Sequence, residues 1–230
     1  MFVDVHLHLT HEKFKSDLEA VIDRADQAGF GALVVNGLEP VSNQQVIELG
    51  QTYPIVKPAV GIYPIDAVNH LLGESFPFSV RKFDVDVEIN LIRKRAEPSQ
   101  VIAIGECGLD GHWIKDETFA EQERVFEELI GIAKDNQLPL IVHTRKREQR
   151  AIEMLAHHKV NKVNFHCFGG KVKWALNAAE QYGWFFSIPA NAGKNEAFAK
   201  MLRELPADLI LTETDAPFLS ATRGQRSEPI

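Results

Sequence analysis

The chain has 230 residues, 45% of them hydrophobic, and a formal net charge of −7. That apolar content excludes a disordered chain and predicts a sizeable core. The charge excludes a protein that coats nucleic acid by bulk electrostatics, but not one that holds a phosphate through metal ions and a few local cations.

The first predicted strand, around 2–7, contains Asp4-Val5-His6-Leu7-His8. Strand alternation places Asp4, His6 and His8 on one face and Val3, Val5 and Leu7 on the other. Two imidazoles on one face can hold one metal ion. Ser16 and Glu19 form a capping-box signature ahead of the helical face Leu18, Val21, Ile22 and Ala25, with Gly29 as its stop. A strand around 31–36 follows, then a second box, Ser42 and Gln45, ahead of Val46 and Leu49. Further strands are expected around 56–61, 101–106, 139–143, 162–166, 184–188 and 209–214. Helical faces lie between them: Val85–Ala96, Phe119–Ala133, Ala151–Leu155, Val172–Ala179 and Phe198–Leu205.

Strand–helix alternation carried eight times predicts a parallel sheet closed as a (β/α)8 TIM barrel. An open doubly wound sheet would want a glycine-rich phosphate loop after the first strand, where this chain has histidines. The even spread of apolar segments, without a Pro/Gly/Ser-rich linker, predicts one domain over 1–230. After the eighth strand only Ala216–Ile230 remain, with no amphipathic pattern, so the final C-terminal helix is expected to be lacking. No basic-then-apolar leader precedes Asp4 and no run reaches transmembrane length, which predicts a cytoplasmic protein. Cys107 and Cys167 make no disulfide framework, and each follows a candidate ligand, so both are expected as buried free thiols turned away from the site.

In such a barrel functional residues gather at the C-terminal strand ends. His6, His8, Glu106, His143, His166 and Asp215 all fall there. Six ligand types are too many for one tetrahedral ion and suit a pair of divalent ions bridged by a carboxylate, a role an imidazole nitrogen does not ordinarily fill and which nominates Glu106. Mixed His/carboxylate ligation suits Zn or Mn, whereas Mg prefers more oxygen.

The segments Asp4–His8, Ala103-Ile104-Gly105-Glu106-Cys107-Gly108-Leu109-Asp110, Leu140–Arg145, Phe165–Gly170 and Thr212–Leu219, with Arg223–Pro229 behind them, span nearly the whole chain. In that order they resemble the TatD family of metal-dependent deoxyribonucleases, among the amidohydrolase-like barrels. The resemblance implies that His6, His8 and Asp215 hold one metal and His143 and His166 the other, with Glu106 between them. It makes Asp215 the group that orients or deprotonates a two-metal-activated water, and it implies hydrolysis of DNA phosphodiesters from the 3′ end. Two positions depart from the family pattern: Tyr63 stands in Gly61-Ile62-Tyr63-Pro64 where a histidine is usual, and Gly111 follows Asp110 where an aromatic is usual. Tyr63 can still donate a hydrogen bond to a phosphate.

Arg145, at the head of the basic run Arg145-Lys146-Arg147, is expected to contact phosphate, and Trp113 to lie beside the mouth as a candidate substrate contact, the one tryptophan placed to stack on a base. Arg223 and Arg226 are candidates to close over DNA, and Glu213 shares the parity of Asp215 as support for a ligand. Two other functions compete with the nuclease: the same barrel cleaving carboxylic esters, amides or lactones, which Tyr63 keeps open, and a metal-binding scaffold without turnover. The expected partners are DNA ends and, through the uncovered outer face of strands one and eight (Val3, Val5, Leu7 and Ile210), a second copy of the chain.

Overall fold

Spatial order follows chain order. The computed structural model describes residues 1–73, 76–96 and 100–229. Its single eight-stranded sheet runs β1 (Phe2–Leu7), β2 (Phe30–Asn36), β3 (Val56–Val60), β4 (Ala103–Asp110), β5 (Leu140–Arg145), β6 (Val163–His166), β7 (Phe185–Pro189) and β8 (Ile210–Glu213). Neighbouring strands from β1 to β8 pair in parallel. The connections carry α1 (Leu18–Gln27), α2 (Pro40–Thr52), α3 (Pro64–Ala67), α4 (Val85–Ala96), α5 (Phe119–Asp135), α6 (Glu148–His157), α7 (Val172–Tyr182) and α8 (Glu196–Glu204). This is the expected TIM barrel. Among the described residues no helix is long and apolar enough to cross a membrane.

The main core lies between strands and helices: Leu33, Val35, Val60, Ile104, Leu140, Val142 and Phe165 are fully enclosed with Val46, Ile92, Leu129 and Leu155 of the helices. Both predicted capping boxes are displaced. At α1 the N-cap is Asp17, with no side-chain bond, so the Ser16/Glu19 box does not form. At α2 Pro40 opens the first turn, as its fixed φ favours, and Glu39 caps it in a reciprocal pair with Ser42, which is therefore the third helical residue and not the cap. The predicted stop after α7 holds: Gly183 adopts φ +67°, a conformation glycine takes without a Cβ penalty.

The junction of β8 with β1 rests on side chains as much as on backbone. Asp4, buried, accepts bonds from Thr214 N at 3.1 Å and Thr214 Oγ1 at 2.6 Å. Thr212 Oγ1 donates to Val3 O at 2.9 Å, Asp215 N to His6 O at 2.9 Å and His8 N to Ala216 O at 2.7 Å. Burial pushes the Asp4 carboxyl up to about 7, against the lowering effect of its Thr214 and His6 bonds.

No helix follows β8 among the described residues. The segment after β8 forms a strap tied to α1 and the residues just before that helix. Arg226 forks onto Asp17 at 2.7 and 2.8 Å and lies 4.4 Å from the Phe14 ring centroid, while Arg24 bonds Glu228 at 2.6 Å. Of the four aliphatic side chains expected to lack cover, Leu7 is fully buried in the main core with Leu9 and Phe14. Val3, Val5 and Ile210 are half-buried.

The seam generates a stability prediction. Thr214→Val keeps the shape but leaves a buried oxygen of Asp4 without its donor, a loss of about 1–3 kcal/mol. Urea unfolding should show that drop, and an unchanged midpoint would mean the seam does not depend on this bond.

Candidate metal centre

Parity on each strand aims the polar side chains inward. His6 and the next residue of the same parity, His8, leave the top of β1; Glu106 lies within β4, His143 within β5, and His166 ends β6. Asp215 follows β8 at φ +50°, a left-handed turn that Asp tolerates better than most residues. All six side chains therefore meet at one mouth.

Glu106 sits at the middle of them. Its Oε2 lies 3.4 Å from Nε2 of both His6 and His8. Its Oε1 lies 3.1 Å from His143 Nδ1 and 3.3 Å from His166 Nε2. Asp215 Oδ1 is 3.6 Å from His6 Nε2 and 3.5 Å from His8 Nε2, and the two Nε2 atoms are themselves 3.1 Å apart. Charge-assisted hydrogen bonds run shorter, ~2.7–2.9 Å. Donor atoms around a tetrahedral ion with arms of ~2.0–2.1 Å stand roughly 3.4 Å apart. The spacing fits the second case, and two imidazole nitrogens facing each other are relieved by a cation between them. Donor atoms of His6, His8 and Glu106, of Glu106, His143 and His166, and of His6, His166 and Asp215 fall into groups that could each hold an ion.

The charges agree with this arrangement. Burial would raise the Glu106 carboxyl, but His166 and His6 hold it well below the usual range. Burial outweighs its neighbours at His6 and lowers that ring to about 4, ready as a neutral ligand. At His166 burial also favours the neutral ring, yet Glu213 and Glu106 raise it well above the ordinary value.

Residues behind the ligands fix their rings. Asp110 Oδ2 lies 3.2 Å from His143 Nε2, and Asn36 O lies 3.3 Å from His8 Nδ1. Glu213, the expected support, accepts bonds from Cys167 N at 3.0 Å and Ser187 Oγ at 2.5 Å and stands 3.6 Å from His166 Nδ1. Asp110 was not among the expected site residues, although parity from Glu106 through Gly108 carries the signal. Its backbone is clamped by the Gln122 amide, N to Oε1 at 2.9 Å and O from Nε2 at 3.0 Å.

Two glycines are required by close approach. A Cβ on Gly108, at φ +135°, would stand 2.1 Å from His143 O, and one on Gly61 would stand 2.4 Å from Glu106 O. Asn43 pins Gly61 from both sides, N to Oδ1 at 3.0 Å and O from Nδ2 at 2.8 Å, and also donates to buried Glu88 at 2.7 Å.

Of the outer candidates, Tyr63 reaches the centre, its ring edge-on to His143 with centroids 4.9 Å apart. Burial and the nearby Glu106 charge raise its phenol, which stays neutral. Trp113 lies at the mouth, 40% exposed, with Arg145 5.8 Å from its ring centroid. Arg223 is exposed on the last loop. Arg226 is committed to the strap and does not face the mouth. Cys107 is buried as expected, but Cys167, at φ +45° just beyond β6, has left strand alternation and is only half-buried.

Comparison with known proteins places this geometry in a lineage. Residues 3–230 match the family described as TatD related DNase. A metal-dependent hydrolase of Bacillus subtilis, YabD, is 30% identical over 100% of this chain and 86% of its own length. The 3′-5′ ssDNA/RNA exonuclease TatD of Pectobacterium carotovorum is 30% identical over 98% of this chain and 83% of its own. The solved structure of YjjV, a TatD homolog from Escherichia coli, superposes with a TM-score of 0.82 at 27% identity, covering 99% of this chain and 85% of that one. The chain belongs to the TatD related DNase family.

Proposed function

We propose that this chain is a metal-dependent phosphodiesterase that trims DNA from its 3′ ends and holds two divalent ions, one on His6, His8 and Asp215 and one on His143 and His166. The observation that carries the reading is the division of Glu106, one oxygen toward each histidine pair. The donor set of four imidazoles and two carboxylates suits Zn or Mn better than Mg. Support for the substrate comes from the family description and from the relative named as an exonuclease. The cytoplasm is the expected location.

The bound ions would acidify water and neutralise charge on the phosphoryl oxygens. The chain's own residues do the rest. Asp215, which burial alone would raise, is held below its ordinary value by the neighbouring His8, His166 and His6; it orients the attacking water and accepts its proton. Tyr63, neutral, donates a hydrogen bond to a phosphate oxygen. Arg145 and Arg223 supply outer positive charge for the polymer backbone. For assembly, exposed Phe2 beside half-buried Val3, Val5 and Ile210 offers one self-association face, which sedimentation of the purified chain tests.

Two predictions follow from the ligand roles. In the metal-free chain burial favours the neutral rings of His8, His143 and His166, yet the surrounding carboxylates raise all three. A metal must displace those protons, so affinity falls as pH falls and binding releases protons. Zinc titrations at about pH 6 and pH 8 should differ in that direction, and pH-independent affinity would contradict the assignment. Glu106→Ala should abolish DNA hydrolysis and weaken both sites, His143→Ala should empty mainly one, and Asp215→Asn should cost rate more than occupancy, because an amide oxygen still coordinates but accepts no proton. Equal metal loss in all three variants would overturn the division of ligands. Protein loaded in turn with Mn, Zn and Mg that leaves DNA intact but cleaves a carboxylic ester would replace the nuclease with the carbon-ester reading.

A further inference from the structure

Two exposed aromatic rings flank the candidate metal centre on opposite rims. Trp113 follows β4 and Phe218 follows β8, 40% and 44% exposed. In a barrel ordered β1 to β8 the β4–β5 rim lies across the mouth from the β8–β1 rim. Each ring is tied through its own backbone N–H to the centre: Trp113 N donates to Asp110 Oδ1 at 2.9 Å, and Asp110 holds His143. Phe218 N donates to the carbonyl of Asp215 at 2.8 Å. Both rings are therefore placed by the residues that place the ligands.

Each ring also has a cation over it at the outer limit of contact. Arg145 lies 5.8 Å from the Trp113 centroid and Lys13 Nζ lies 5.8 Å from that of Phe218. Arg147 and Arg150 both bond Glu123, which leaves Arg145 as an exposed cation at the rim of a chain whose net charge is −7. Trp113 is braced edge-on by Phe78, with centroids 5.4 Å apart at 87°. Phe218 is braced by His11 at 5.4 Å and 87°. Trp113 also meets His112 at 4.7 Å and 76°, and Phe218 meets His8 at 6.3 Å and 65°; among the described residues none of these aromatic contacts is stacked. What sets these two rings apart from the other exposed apolar side chains is their place at the mouth with a cation, and a nucleobase stacked on a ring with its phosphate on that cation uses both.

We propose that Trp113 with Arg145 and Phe218 with Lys13 are two base-stacking subsites, one on each side of the bond that is cut, forming a path for unpaired nucleotides across the mouth. The proposal rests on the nuclease reading and adds to it that the bases are held as well as the phosphates. A duplex cannot use such a path without unpairing, because its base faces are already stacked.

The test is binding by the metal-loaded protein of two short single-stranded probes that resist cleavage, both with a phosphorothioate backbone. One carries thymine bases, the other is abasic with the same number of phosphates. The base-bearing probe should bind roughly five-fold or more tighter than the abasic one. Trp113→Ala and Phe218→Ala should each reduce that ratio, while Trp113→Phe, which keeps a ring, should retain most of it. Equal binding of the two probes by a protein that still hydrolyses DNA would overturn the subsites and leave the nuclease standing. Failure to bind either probe, together with failure to cleave DNA, would overturn the nuclease reading and the subsites with it.

Discussion

Glu106 is one carboxylate with four imidazoles around it, each oxygen facing a different pair. A buried anion in a barrel interior is costly unless positive charge meets it. Raised histidines can supply that charge: His8, His143 and His166 are held above the ordinary imidazole value, while His6 stays neutral and faces His8 across 3.1 Å. Divalent ions held there, as proposed, would meet the same carboxylate charge and take the place of those protons. The rest of the mouth is built around this requirement.

That requirement explains polar residues that would otherwise weaken the core. Asp110, Glu213, Asn43 and Glu88 are all buried, and each bonds something that locates a ligand or the backbone beneath one. Asp110 holds the distal nitrogen of His143, Glu213 stands behind His166, and Asn43 pins Gly61 against the Glu106 backbone. Such outer partners orient ligand rings and set their basicity. Asp4 plays a related part at the seam, joining the strand that carries His6 and His8 to the one that leads into Asp215. Barrel closure and ligand placement thus depend on the same few bonds.

Much of this was legible in the amino-acid sequence. Eight short apolar runs separated by helical faces fixed the strand order, because parallel strands need a crossover each time. The inward faces follow from alternation, which on its own brings His6, His8, Glu106, His143, His166 and Asp215 to one mouth. What escaped was what alternation does not encode. The start of α2 was misjudged because Pro40 and Glu39 together outcompete a serine three residues later. The fate of Arg226 depends on Asp17, distant in sequence, and the half-exposure of Cys167 depends on a left-handed turn. Phe218 lies in a loop, where no periodicity reports which way a side chain faces, whereas Trp113 could be expected beside the mouth from its place just after the fourth strand.

The central claim is that Glu106 is shared between two ions, and anomalous diffraction from crystals soaked in zinc or manganese addresses it directly. The account predicts two peaks, one enclosed by His6, His8, Asp215 and Oε2 of Glu106 and one by His143, His166 and Oε1. A single peak, with Glu106 bound through one oxygen and the second histidine pair bare, would contradict it.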